Sequence, residues 1–310
     1  MRAMQERWRE PGFVSRVHGW IDDRLDDLGR TRTGDVEQPH VTDWSTVMRV
    51  PTDAGTVWFK ANDDTMLHEA AVLEVVAARS SGRVPAPLVR DPRTGWMLLD
   101  DGGQRLREVI AQERSLVRWH DVLGAYARVQ IACEDAVDEL LALGLPDCRL
   151  ATLPGAYADL VAGLRDADRR LPPASDIEQL CARLASYGIR ETVQHDDLHD
   201  GQVFLRDGVH QVLDWGDACI SHPFLTLAVT LEGVIAWGLD DVEDSEDLRP
   251  HLQAYLEPYA SRYGTTVAHL RGAAEIAMRL GWVCRAVNGA LPQEPDRTHV
   301  RLKMFLDGKP

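Results

Sequence analysis

"HDDLHDGQVFLRDGVHQVLDWGDA", residues 195–218, sets six aspartates and three histidines in one short stretch. Its apolar runs "QVFLR" and "HQVLDW" flank "DGV" and read as two strands of a hairpin. Three positions share one chemistry: Asp197, Gln202 five residues later, and Asp214 at the end of the second strand. Phosphoryl transfer from ATP asks little covalent chemistry of a protein. It needs a carboxylate that orients the attacking hydroxyl and takes its proton, and hard oxygen ligands that hold Mg²⁺ on the phosphates. A His-x-Asp loop, a side-chain carbonyl and a strand-terminal aspartate supply that set. The same stretch also permits a metal hydrolase, because His195, Asp197 and His199 alternate and could present Zn²⁺ ligands together.

The flanking sequence decides between these readings. Residues 13–28 place Phe13, Val17, Trp20, Ile21, Leu25 and Leu28 at helical spacing, which predicts an amphipathic N-terminal helix. "STVMRV" and "TVWFK" are strand-like runs separated by "PTDAG", a turn sequence. "MLHEAAVLEVVAAR" follows as a helix with Leu67, Ala70, Leu73 and Ala77 along one face, and "PLVRDPRTGWMLLD" reads as a second hairpin. After "DDGGQ" the pattern is helical to the end, apart from the hairpin in the opening stretch. The expected architecture is α+β and bilobal: an N-terminal helical extension (1–34), a small β-rich lobe (35–101) and a large helical lobe (102–310) that carries the site.

Composition narrows the partners. The chain has 310 residues, 45% hydrophobic and 27% charged, as in ordinary globular proteins. A net charge of -15 repels polyanions, so neither nucleic acid nor an anionic membrane is the expected partner, and a cationic small molecule is favoured. Five scattered cysteines (Cys133, Cys148, Cys181, Cys219, Cys284) include no CxxC pair, which points to reduced thiols and a cytoplasmic setting. The N-terminal residues suit no targeting peptide, and "LAVTLEGVIAWGL" is too short to span a bilayer.

"HDDLHDGQVF" followed by "VLDWGDA" resembles the aminoglycoside phosphotransferase/choline kinase-like family, whose loop reads H-G-D-L-H-x-G-N and whose fold is protein-kinase-like. The spacing is also that of the protein-kinase template H-R-D-L-x-x-x-N, but His199 and Gly201 separate this version, and no A-P-E-like segment follows "DWGDA". The resemblance implies Asp197 as catalytic base, Gln202 and Asp214 as magnesium ligands, and His195, with His199, as loop support. Upstream it implies that Lys60 meets the ATP phosphates, that Glu69 rather than Glu74 pairs with that lysine, and that Leu99 to Asp101 form the adenine-facing hinge. The implied activity is transfer of the γ-phosphate of MgATP to a hydroxyl of an antibiotic, amino sugar or amino alcohol.

Three departures stand beside the match. Gln202 replaces the family's asparagine, which sets the amide one methylene further out. "VTDWSTV" has no glycine where relatives carry a Gly-rich phosphate loop, leaving the hydroxyls of Ser45 and Thr46 as the candidate contacts. In "SHPFLTLA", Thr226 stands where the family has a structural aspartate, so loop support must come from elsewhere. These departures motivate a second reading, a catalytically silent nucleotide-binding protein on a kinase scaffold. Blander assignments accompany the rest: Asp196 and Asp200 as solvated loop residues, with Asp200 also a candidate substrate contact, Asp217 as a surface or second metal position, and His199 as packing. The run 240–247 reads as a charged linker and Trp237 and Trp282 as core. Glu232 and Glu275 are candidate carboxylates for an amine-bearing acceptor.

Overall fold

Alternating burial along "STVMRVPT" and "GTVWFKAN" makes these runs the central strands of the small lobe. In the computed structural model, which describes residues 5–290 and 295–307, β1 (Glu37–Val41), β2 (Ser45–Thr52), β3 (Gly55–Asn62), β4 (Val89–Arg90) and β5 (Met97–Asp100) form one antiparallel sheet. Its spatial order is β1-β2-β3-β5-β4. Thr52 pairs with Gly55 across a two-residue turn, and Gly55 takes φ 106°, a conformation open to glycine. The edge strand β1 is absent from the sequence reading because "EQPHV" is polar, contains proline and is largely exposed.

The two faces of this sheet have different partners. Val57, Phe59, Met48, Val50 and Leu98 face α1 (Pro11–Asp27) and meet its buried stripe of Phe13, Val17, Ile21 and Leu25. A domain boundary at residue 34 is therefore corrected: the N-terminal helix completes the hydrophobic core of the small lobe, although the spacing that predicted the helix was sound. The opposite face, with Met97 and Leu99, packs on Ala70, Leu73 and Val76 of α2 (Glu69–Ala77). That helix begins later than its sequence pattern suggests, because Asp63 accepts from the Thr65 N–H and caps a separate short turn at Asp64–Met66. Leu67 is consequently exposed.

The large lobe contains α3 (Leu106–Glu113), α4 (Arg118–Ala132), α5 (Val137–Ala142), α6 (Leu153–Gly163), α7 (Ala174–Ala185), α8 (Leu248–Tyr263), α9 (Val267–Asn288) and α10 (Pro295–Asp307). The hairpin of the opening stretch is β8 (Val203–Arg206) and β9 (Val209–Val212), which joins β6 (Gln104–Arg105) in the order β6-β8-β9. Gly103 precedes β6 at φ 84°, and any Cβ there would run into the Leu205 carbonyl. This close approach ties the hinge to the hairpin. A second small sheet pairs β7 (Thr192–Gln194) with β10 (Cys219–Ser221) and brackets the loop at 195–202. From Pro223 to Leu248 the expected helix is instead a series of short 3-10 and π turns. Among the described residues no helix is long and apolar enough to cross a membrane.

His222 is fully buried at the start of these turns, edge-on to Phe224, with Nδ1 accepting from the Phe224 N–H. Burial pushes its pKa from 6.5 down to about 3. Its stabilising contribution is therefore present above about pH 6.5 and is lost as pH falls toward 3, because only the unfolded chain takes up the proton. Urea midpoints measured at pH 7 and pH 5 should fall less in His222→Asn than in the unchanged protein. An identical pH slope in both would remove His222 as the cause.

Candidate active site

The site begins with strand register. On β3, Trp58, Lys60 and Asn62 alternate with Val57, Phe59 and Ala61, so the polar set faces away from α1. The α2 helix then presents Glu69 to the same face. Lys60 Nζ donates to Glu69 Oε1 at 2.7 Å and to Asp214 Oδ1 at 2.5 Å. Asn62 Nδ2 donates to Glu69 Oε2 at 2.5 Å, and the Trp215 N–H donates to Glu69 Oε1 at 3.1 Å. One buried carboxylate thus joins the small-lobe strand to the segment after β9. Glu74 lies elsewhere, on Arg90 at 2.7 Å.

Opposing effects set the charge states. Burial disfavours the Lys60 ammonium, but Asp214 and Glu69 together hold its pKa above the usual lysine value. Burial also raises Glu69, against the pull of Lys60, and for Asp214 it is outweighed by Lys60, which leaves that carboxyl at about 2. Asp214 lies two residues beyond β9, where the sequence reading had placed it on the strand itself. It occupies the left-handed region at φ 64°, which an aspartate tolerates better than most residues. This kink turns its carboxylate toward Gln202, whose Nε2 donates to Asp214 Oδ2 at 2.9 Å, while the Leu213 N–H donates to Gln202 O.

The loop at 195–202 is braced from several elements. His195 is fully buried: its Nε2–H donates to Leu213 O at 2.8 Å and its Nδ1 accepts from the Asp197 N–H at 3.3 Å. These contacts assign the neutral Nε2–H tautomer. Tyr126 accepts from the His195 N–H at 2.8 Å, and Thr230 Oγ1 donates to Leu198 O at 2.8 Å. With Thr226 in place of an aspartate, this bracing comes from Tyr126 on α4 and Thr230 in the turns. His199 is partly buried against the loop, with Nδ1 accepting from the Gly201 N–H and Nε2 at 3.8 Å from Asp197 Oδ2.

A charge that sequence reasoning missed organises the other side of the loop. Arg285, buried on α9, lies 2.8 Å from Asp197 Oδ1, 3.4 Å from Asp196 Oδ2 and 3.2 Å from Asp217 Oδ2. Asn288, one turn later, donates to Asp196 Oδ2 at 2.9 Å and to Asp217 O at 2.7 Å. The reading of Asp196 as solvated is overturned: it is 1% exposed, and burial pushes its carboxyl up to about 7 against the opposing pull of Arg285. Neither Arg285 nor Asn288 had a local signal beyond a cation in an otherwise apolar helical run, because their partners lie far away in sequence.

Other expected positions divide. Leu99 is buried on the α2-facing side of β5, and Asp101 Oδ1 accepts from Trp58 Nε1 at 3.4 Å and from the Gly103 N–H at 3.1 Å. Ser45 shares the face of Lys60, but its hydroxyl lies 3.2 Å from that of Thr42. Thr46 is corrected: register turns it to the opposite face, fully buried, where it accepts from Gln38 Nε2 and donates to His40 O. Asp200 is not a free carboxylate but an ion-pair partner of Arg107 at 2.9 Å. Glu232 accepts from Trp282 Nε1 at 2.6 Å, and Trp282 sits one helical turn before Arg285. Glu275 is exposed on α9 ten residues before Arg285, about 15 Å along the axis at 1.5 Å per residue, so the fold does not bring it to the loop. The acidic run 240–247 is a loop that ends by capping α8 through Asp247.

A sheet with α2 on one face, a hinge, and a helical lobe that carries paired acidic and amide side chains define a bilobal α+β fold of the protein-kinase-like type. The chain belongs to the phosphotransferase enzyme family (APH), whose model matches residues 39–268. Comparison with the curated proteins gives no match. Among solved structures, it is similar to a choline/ethanolamine kinase family protein from Mesorhizobium loti (TM-score 0.59, 15% identity, 89% of each chain covered). An ethanolamine kinase from Plasmodium vivax aligns at TM-score 0.60 and 11% identity, over 88% of this chain and 82% of that one. The GDP complex of an aminoglycoside 2'-phosphotransferase-IIIa mutant aligns at TM-score 0.57 and 15% identity, over 94% and 96%.

Breaking a buried ion pair by removing one partner costs far more than replacing both. Glu69→Ala is expected to lower the unfolding free energy by about 3–5 kcal/mol. The double replacement Lys60→Met with Glu69→Leu should lower it distinctly less. Urea unfolding checks both, and equal losses would mean that Glu69 acts through packing alone.

Proposed function

We propose that the protein is an O-phosphotransferase that moves the γ-phosphate of MgATP to a hydroxyl of a small molecule. The observation that carries this reading is the meeting of Lys60, Glu69, Asp214 and Gln202 across the two lobes, with Asp197 on the adjoining loop. Lys60 would hold the nucleotide phosphates, oriented by Glu69. Trp58 and Leu99, paired across β3 and β5 on the same face, would bound the base pocket beside the hinge at Asp101. Asp214 and Gln202 meet side chain to side chain, and a carboxylate beside an amide supplies the kind of hard oxygen donors that suit Mg²⁺. When bound, Mg²⁺ would neutralise charge on the phosphates.

In this reading Asp197 accepts the proton of the acceptor hydroxyl. Arg285 holds one Asp197 oxygen and leaves the other facing His199, which fixes the direction from which the hydroxyl arrives. The acceptor class we infer is an aminated alcohol. Its support is Glu232, held by Trp282 beside Arg285, together with the net negative charge; Asp200 and Glu275 drop out because one is paired and the other remote. A carboxylate next to an indole suits an ammonium group.

The silent-scaffold reading has one observation in its favour: a phosphate turn at 42–44 without glycine, with Thr46 turned away. A panel of aminated and neutral alcohols read by ADP formation with Mg²⁺ separates the two. Turnover with at least one aminated alcohol is expected; MgATP binding by thermal shift with no ADP from any acceptor would favour the silent scaffold. Asp197→Asn should lower kcat by about 10²–10⁴-fold, the usual worth of a general base, while MgATP still shifts the melting curve. Near-normal turnover in that variant would remove Asp197 as the base.

A further inference from the structure

Three of the five cysteines meet in the interior of the large lobe, although they are widely separated in sequence. Cys148 lies between α5 and α6, Cys219 opens β10, and Cys284 is on α9; all three are buried. Their Sγ atoms all lie within 4.8 Å of one another, with Cys219 and Cys284 at 4.0 Å. Three thiolates around one ion in a plane, with metal–sulfur bonds of about 2.3 Å, place the sulfurs about 4.0 Å apart. The cluster reaches that geometry by sub-ångström contraction.

The backbone holds these positions independently of the thiols. The Cys148 N–H donates to Ile220 O and the Ile220 N–H to Pro146 O, both at 2.9 Å, while Cys219 pairs with Gln194 across β7 and β10. Gln194 Nε2 approaches Cys284 Sγ at 3.9 Å and also donates to Asp196 Oδ1 at 2.7 Å. A donor at a ligating sulfur is the kind of outer contact that orients metal ligands. Cys133 and Cys181 are also buried but belong to no such group among the described residues.

Donor type and number select the ion. The group contains three thiol sulfurs and no fourth histidine, cysteine or carboxylate among the described residues. Structural zinc takes four ligands, whereas soft sulfur donors favour Cu(I). We propose that Cys148, Cys219 and Cys284 form a three-sulfur site for one cuprous ion. Binding exchanges thiol protons for the metal, releases those protons to solvent and changes no oxidation state. The site is separate from the phosphotransferase reading and stands or falls without it.

The test is anaerobic titration of the reduced full chain against the Cu(I)–bicinchoninate complex. The unchanged protein and a Cys133→Ser/Cys181→Ser variant should each withdraw one equivalent of copper. Cys148→Ser and Cys219→Ser should bind at least about 10–100-fold more weakly, the loss that even an outer-sphere partner causes. No withdrawal by the unchanged protein, or equal withdrawal by the cluster variants, would overturn the proposal. If those variants fold poorly, copper X-ray absorption of the loaded unchanged protein decides alone. Three sulfur scatterers support the site; two sulfurs, or nitrogen and oxygen neighbours, refute it.

Discussion

The ammonium of Lys60 is the group on which the arrangement depends. It is buried on the strand face that also carries Trp58 and Asn62, and its charge persists because Glu69 and Asp214 approach it from opposite lobes. Taking an ion from water costs several kcal/mol even after relaxation, so the buried ammonium relies on these carboxylates to stay charged. Glu69 also receives Asn62 and the Trp215 N–H, which makes the lobe-to-lobe geometry a matter of satisfying one buried carboxylate. The β2–β3 register, the start of α2 and the left-handed kink at Asp214 all serve to deliver these groups to one place.

Arg285 plays the corresponding part on the other side of the loop. Three carboxylates surround one guanidinium, and Asn288 together with Gln194 supplies further donors to Asp196. Asp196 is drawn into the interior by this cluster and adopts φ 62°, in the left-handed region. The buried loop aspartate and the arginine on α9 are therefore two halves of one arrangement. A plain loop glycine would leave Arg285 with fewer anions, and Asp196 without Arg285 would be an unpaired buried charge.

Much of this was legible in the chain, but unevenly. Spacing within "HDDLHDGQ" and "LDWGDA" identified the loop and the metal-type pair, and strand and helix patterns located Lys60 and Glu69, whose pairing the family resemblance implied. Those signals are short-range, since they rest on the two-residue repeat of a strand and on the offsets of one hairpin. Misreadings fell where burial depends on a distant partner. Asp196 looks like a solvated turn residue until α9 covers it, and Thr46 looks like a phosphate contact until its parity is counted from Phe59 rather than Lys60. Glu275 shares a helix with Arg285 yet lies turns away from the loop.

The sequence alone determined the local elements, the two-lobe order and the identity of the loop, because hydrophobic periodicity and motif spacing are properties of neighbouring residues. Only the tertiary structure decided which charges are paired, which thiols converge, and that the N-terminal helix belongs to the core of the small lobe. The physical reason is that an ionised or thiol side chain has no fixed role until its dielectric surroundings and its partners are set. Those partners, Arg285 for Asp197 and Cys148 and Cys219 for Cys284, are separated by stretches of chain that no local pattern bridges.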